Sequence, residues 1–392
     1  MMIAGWLLGS WLIGSQLLAQ SSSSSNSPDS GASSVSATAD RAFWFSQKGA
    51  AVGRTQAAWS APSKSGLLKH TAVWKKSTEA QRKFLICLLK EWETQVRFES
   101  AVAAMRLHYG IAACQMGLDL LSQADDAVQE QIGIENELIK LGGQVEDTTS
   151  LRSAKLELKD QRLELESKLS RLKDELSLLV GSELACSYIA ELTCAPTNEL
   201  LERCDYESLA IDRRIELRLL SDAYMNPELI NEDALKVFSG LSGVPGGLGL
   251  ISVPKVETGL FVHRATVDPN ASLRQSLGRL LGARSDQIRI EAGIAYDTKE
   301  KCVERWRVAV KKSNLLTERL ERLESLSELR GNLTQQIQAK LECYKAQGEE
   351  IQRWLEWHLA DCDLQQATGR IGYWNLQPES CVSPSDAKLR DD

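Results

Sequence analysis

Histidine occurs only four times in 392 residues, and no H-E-x-x-H pair is among the four. The nine cysteines contain no C-x-x-C pair and match no usual zinc ligand spacing. A G-x-S-x-G elbow, a G-x-x-x-x-G-K-[ST] loop and a G-x-G-x-x-G turn opening a helix are absent too. No convergent set of titratable residues replaces them. The chain therefore reads as a protein that is not an enzyme, with no catalytic, cofactor-binding or metal-ligating residue and no cofactor. Positive charge is also scarce: 46 basic residues face 53 acidic ones, the net charge is -7, and no block of five Lys or Arg occurs. That balance argues against nucleic acid as a partner.

Proline is missing from two long stretches, 63 to 195 and 270 to 377. Within a helix proline removes a hydrogen bond and clashes with the preceding turn, so both stretches can hold long unbroken helices. In the first, Leu107, Cys114, Leu121 and Val128 recur every seven residues, as do Leu151, Leu158, Leu165, Leu172 and Leu179. This is the apolar heptad of a coiled coil. Between the two runs, Gly142 and Gly143 can stop one helix and Asp147 or Thr148 can cap the next. The result is a helical hairpin whose first arm, 76 to 141, is on the order of 100 Å long.

The second stretch repeats the plan. Trp306, Val310, Leu316, Leu320, Leu323 and Leu326 lead to a turn at Gly331, and Leu333, Ile337, Leu341, Tyr344, Ile351, Leu355 and Leu359 lead back. Gly143 to Gly181 spans 38 positions, and so does Gly331 to Gly369, which suggests an internal duplication offset by 188 residues. The expected fold is mainly α: two long antiparallel, coiled-coil-like hairpins with a short or degenerate β segment. That segment lies in 239 to 266, where Gly, Pro and β-branched residues frame candidate strands at 248 to 253 and 259 to 264.

The expected domains follow. Residues 1–20 read as a signal peptide, with an apolar run closed by Ala19. A retained membrane anchor is the alternative, although Ser10, Ser15 and Gln16 interrupt a run that needs about 20 apolar residues to span a bilayer. Next come a Ser-rich linker over 21–40 and an irregular segment over 41–75. The first hairpin repeat occupies 76–205, a short helix with the Gly/Pro-rich segment 206–284, the second repeat 285–372 and a tail 373–392. Cys87, Cys114, Cys302 and Cys343 read as small buried hydrophobes, with disulfides as the alternative in an oxidising compartment. His108 and His358 read as surface or packing residues, and Trp354 and Trp357 as hairpin packing.

The arm GGQVEDTTSLRSAKLELKDQRLELESKLSRLKDELSLLVG and the segment Ile211-Asp212-Arg213-Arg214-Ile215-Glu216-Leu217 resemble the TolC-like outer membrane efflux proteins. The second segment is similar to that family's Arg-Pro-Glu-Leu, with Ile215 in place of proline. The resemblance implies an exported homotrimer in the outer membrane or periplasm, conducting solutes with a periplasmic adaptor protein and an inner-membrane pump. It also implies that the turns at Gly142, Gly143 and Val145, and at Gly331 and Leu333, dock the adaptor. Asp147, Gln335 and Gln338 fall at positions that line the entrance in the family, where the second-repeat pair is acidic. No strand of the 9 to 11 alternating residues that an outer-membrane barrel needs is clear in this sequence. A periplasmic coiled-coil scaffold derived from the same fold is therefore the alternative function.

Overall fold

The structure is a computed structural model that describes residues 35–60, 79–141, 149–181, 201–230, 269–330 and 333–369. The described residues of both proline-free stretches are almost wholly helical. The elements are α1 Val35–Phe45, α2 Gln47–Ser60, α3 Glu79–Lys140, α4 Thr149–Val180, α5 Arg203–Arg213, α6 Ile215–Met225, a 3₁₀ turn Pro227–Leu229, α7 Pro269–Arg330 and α8 Leu333–Thr368. Helices α3 and α7 have 62 residues each. The proline that precedes the second stretch, Pro269, opens α7, where its missing N–H costs nothing. The expected signal peptide, the β segment, the tail and Cys186, Cys194 and Cys381 lie outside the described residues.

The chain divides into two units. One draws on Met1–Arg41, Ala103–Pro196 and Lys299–Ala360, the other on Ala42–Val102, Thr197–Thr298 and Asp361–Asp392.

In the first unit α3 and α4 pair antiparallel. The heptad leucines of α4 sit over glycines of α3: a Cβ added to Gly110 would lie 3.2 Å from Leu172, and one added to Gly117 3.0 Å from Leu165. Farther along, Lys155 donates to the side-chain oxygen of Gln129, so positions on α4 fall as those on α3 rise. Helices α7 and α8 pair the same way. Lys312 meets Glu349 at 2.6 Å, Arg319 meets Glu342 at 3.0 Å, and Gln336 donates to the Leu323 carbonyl at 3.3 Å. Each returning helix ends on a glycine with positive φ, Gly181 at 69° and Gly369 at 65°. These are the left-handed caps that release a chain from a helix, and they lie 188 residues apart.

In the second unit Phe84, Leu85, Leu88 and Leu89 of α3 pack with Ile215, Leu219 and Leu220 of α6 and Leu277 and Leu280 of α7. A smaller cluster joins Ala210 and Leu217 to Ile288, Ala292, Ala295, Leu364 and Ala367. Between α5 and α6, Arg214 adopts an extended conformation, φ -69° and ψ 115°. A proline at 215 would force that conformation on the residue before it. Here Ile215 stands at that place, and the side chain of Arg214 holds the break instead. Its guanidinium donates to Glu216 at 2.8 Å and to the carbonyls of Gln366 and Ala367 at 3.3 and 3.2 Å, closing the end of α8. Arg284 donates to the same Glu216 oxygen at 3.1 Å. Burial pushes the Glu216 carboxyl up, and the two arginines outweigh it, so the group sits below the ordinary carboxylate range.

Two expectations need correcting. The Ser-rich linker and irregular segment are helical over 35–60. Val35, Ala39, Ala42 and Phe43 form one buried stripe of α1, built mostly from small residues that read as linker composition although alanine is the best helix former. Arg97 donates to the carbonyls of Phe43 and Trp44 at 3.0 and 2.8 Å, satisfying the end of α1. Gly49 and Gly53 let α2 lie against the Arg97–Glu93 pair, since a Cβ there would come within 2.6 Å of Arg97 and 2.8 Å of Glu93. The second correction concerns cysteine. Cys114, Cys302 and Cys343 are buried thiols outside any disulfide, as is Cys362, but Cys87 is disulfide-bonded. Helical spacing gave no sign of that bond, which depends on a second cysteine brought near by tertiary structure.

Candidate functional site

In the first unit four helices are joined pairwise in one series. Glycine and leucine join α4 to α3, aromatic rings join α3 to α8, and ion pairs join α8 to α7. At the central seam the rings of Tyr109 and His358 stack at 3.9 Å, and Trp354 meets Tyr109 edge-on at 6.0 Å. Trp354 and Trp357 stand 4.3 and 4.0 Å from His358. His108 and His358 are both buried, so these histidines are packing residues. The cysteine beside the glycine seam is chemically quiet: burial pushes the Cys114 thiol up to about 11, although Lys168 and Arg171 pull the other way.

The helices at the two ends of this series, α4 and α7, carry exposed apolar side chains. On α4 Leu156 and Leu163 are 68% and 56% exposed; on α7 Val308 and Leu315 are 63% and 65% exposed. Each pair is seven residues apart, the spacing of a coiled-coil seam. A series with an apolar stripe at each end can cover both by repeating itself around an axis, one end against the other. Leu158, Leu165 and Leu172, of the heptad row read from the sequence as coiled-coil packing, do not lie on this exposed stripe. They are half-buried, and two of them already cover α3 glycines. The exposed residues were visible as a second heptad two positions away, but sequence alone did not say which of two leucine rows faced inward.

Of the residues expected to dock an adaptor or line an entrance, Gly142, Gly143, Val145, Asp147 and Gly331 lie outside the described residues. Leu333 opens α8. Gln335 and Gln338 are both exposed in its first turns, three positions apart and so on one helical face. Among the described residues no group of three or more His, Cys, Asp or Glu is placed to hold a metal ion. No described helix is long and apolar enough to cross a membrane.

No family model matches the chain, and no curated protein does. Solved structures do match. The open state of the Neisseria gonorrhoeae MtrE outer membrane channel covers 86% of this chain and 89% of its own, with a TM-score of 0.58 at 12% identity. CusC, described in terms of folding and transmembrane channel formation, covers 86% and 95% at a TM-score of 0.54 and 12% identity. The Vibrio cholerae outer membrane protein VceC covers 74% of each chain at 0.53 and 10% identity. The helices thus have the fold of TolC-like outer membrane channels, a likeness of fold at very low identity.

Proposed function

We propose that this chain is the outer-membrane channel component of an efflux or secretion system, exported and assembled as a homotrimer. The observation that carries the reading is the series of four paired helices whose end helices, α4 and α7, expose apolar stripes. In a ring, the Leu156–Leu163 stripe of one copy lies against the Val308–Leu315 stripe of the next, and three sets of four helices close a twelve-helix barrel. The barrel conducts by geometry: solutes pass along a bore lined by polar helix faces, and no bond is made or broken. The turns containing Gly142, Gly143 and Val145, and Gly331 and Leu333, meet a periplasmic adaptor that links the conduit to an inner-membrane pump. Gln335 and Gln338, with Asp147, line its entrance.

The low content of recognisable membrane strands in the sequence supports a second reading, a periplasmic scaffold that keeps the helical ring without a membrane barrel. One experiment separates the two. The purified oligomer is weighed by light scattering and then reconstituted into planar bilayers. A trimer with discrete conductance steps supports the conduit. A trimer that leaves with a carbonate wash and gives no conductance supports the scaffold, and a monomer sinks both.

A further inference from the structure

Two of the four histidines lie in one buried cluster of the first unit, and neither the ring nor the conduit makes use of them. The cluster sits where α3 meets α8. His358 is enclosed by Tyr109 at 3.9 Å, Trp357 at 4.0 Å and Trp354 at 4.3 Å. His108 meets the edge of Tyr109 at 5.9 Å, and its Nδ1 lies 3.5 Å from the hydroxyl of Thr38 on α1. Among the described residues, the titratable and charged groups that face His358 include His108 and Tyr109 on α3 and Lys299 on α7, and α1 brings the uncharged Thr38 to His108. The aromatic faces would attract an imidazolium. Burial, a second imidazole and an ammonium group all oppose one, and they prevail.

We propose that this cluster is an acid-sensitive latch: protonation of His358, stacked on Tyr109 beside His108, releases the seam between α3 and α8, and with it the contact between the two hairpins. A charged ring here loses its hydration and faces a second imidazole and Lys299, whereas opening the seam returns it to water. The direction of the response follows from linkage. Burial first, then His108 and Lys299, hold His358 down to about 3 from an ordinary 6.5. The closed seam therefore keeps the ring neutral while the open form takes up a proton. Closed-seam stability is complete above pH 6.5 and declines as pH falls toward about 3, by up to about tenfold in the open–closed equilibrium per pH unit for one proton. The latch does not depend on the conduit reading, because every group in it belongs to one chain.

Hydrogen exchange on the full-length protein tests it. Amides of 105–112 and 351–360 are followed between about pH 7.5 and about pH 5, with rates corrected for intrinsic chemistry, so that most carboxylate pairs stay ionised. Protection in these two segments should fall by up to about tenfold per pH unit below 6.5, while the segment around Arg319 and Glu342 keeps its protection. The combined variant His108→Gln and His358→Gln should lose the pH response. Flat protection in the unmodified protein, equal loosening of the Arg319 segment, or an unchanged response in the double variant would each overturn the latch. Should the double variant fail to fold, the imidazole resonance of His358 in the unmodified protein decides: titration near 6.5 refutes the latch, and titration below about 5 supports it.

Discussion

In the second unit Phe84, Leu85, Leu88 and Leu89 meet Ile215, Leu219, Leu220 and Leu277, all buried, and a cluster of arginine and glutamate lies in the same unit. In the first unit α3 meets α4 through two glycines under half-buried leucines, and α4 and α7 keep apolar stripes exposed. A buried large side chain contributes about 1.5–3 kcal/mol, so the wide core stabilises its helices within one chain. A narrow seam of glycine and leucine contributes less per turn and leaves two apolar stripes exposed. The contrast teaches that the second unit is held by a wide core of its own, whereas the first exposes the apolar stripes on which the proposed ring draws.

The strongest way to break this comparison is to attack the buried ion cluster of the second unit. Glu216→Ala leaves the buried Arg214 and Arg284 to share the more exposed Glu291, at 3.5 and 3.1 Å, and loss of one member of a buried ion cluster costs up to about 3–5 kcal/mol. Chemical denaturation of the variant should show that loss. A change below about 1 kcal/mol would mean that the wide apolar core alone holds the second unit.

Two leucines of α4 sharpen the comparison from the other side. Leu165→Asp places a carboxylate in the half-dry seam over Gly117 and removes part of a leucine's burial, for a loss of about 2–3 kcal/mol in the single chain. Leu163→Asp changes an exposed residue of the α4 stripe, so the single chain should lose no more than about 0.5 kcal/mol. Its oligomer should nonetheless fall apart, because a ring places the new charge between copies. Light scattering and denaturation, run on both variants, check the pair. A Leu163→Asp protein that keeps its full oligomer mass would show that the α4 stripe does not meet the next copy.

The glycine caps give a smaller effect. At φ 69° and 65°, Gly181→Ala and Gly369→Ala each force an L side chain into the left-handed region, at a cost of about 1–2 kcal/mol. At Gly369 the added Cβ would also approach the Arg213 carbonyl at 3.4 Å, an ordinary contact, so crowding adds little. Equal losses from thermal melts of the two variants would show that both returning helices end by the same device.

Much of this architecture is legible in the sequence for physical reasons. Proline gaps and heptads report helices directly, because both act within a few turns of chain. Gly181 and Gly369 are legible because positive φ selects glycine. What escapes is decided by contacts between distant segments. Thr38 joins α1 to His108, Arg97 joins α3 to the end of α1, and Cys87 finds a partner elsewhere. The Arg214 break was legible only as a resemblance, since proline, the residue that would explain it locally, is replaced by Ile215. Which leucine row of α4 faced inward depended on Gly110 and Gly117, two glycines that helix propensity alone counts as defects.

The smallest effect on stability, and the most specific on function, is expected at Gln335 and Gln338. Both are exposed in the single chain, so Gln335→Asp with Gln338→Asp should change its stability by no more than about 0.5 kcal/mol. In a trimer the two substitutions introduce six carboxylates at one end of the bore. A glutamine ring offers hydrogen bonds without charge, whereas a carboxylate ring concentrates multivalent cations and holds them. Single-channel recordings of the unmodified protein should therefore show weak block by trivalent cations. The double variant should show block that deepens as ionic strength falls, because screening weakens a ring of exposed charges. Strong block before substitution would place other acidic residues at the constriction. No block after substitution would move α8's first turns away from the bore, leaving only the apolar stripes of α4 and α7 as support for the ring.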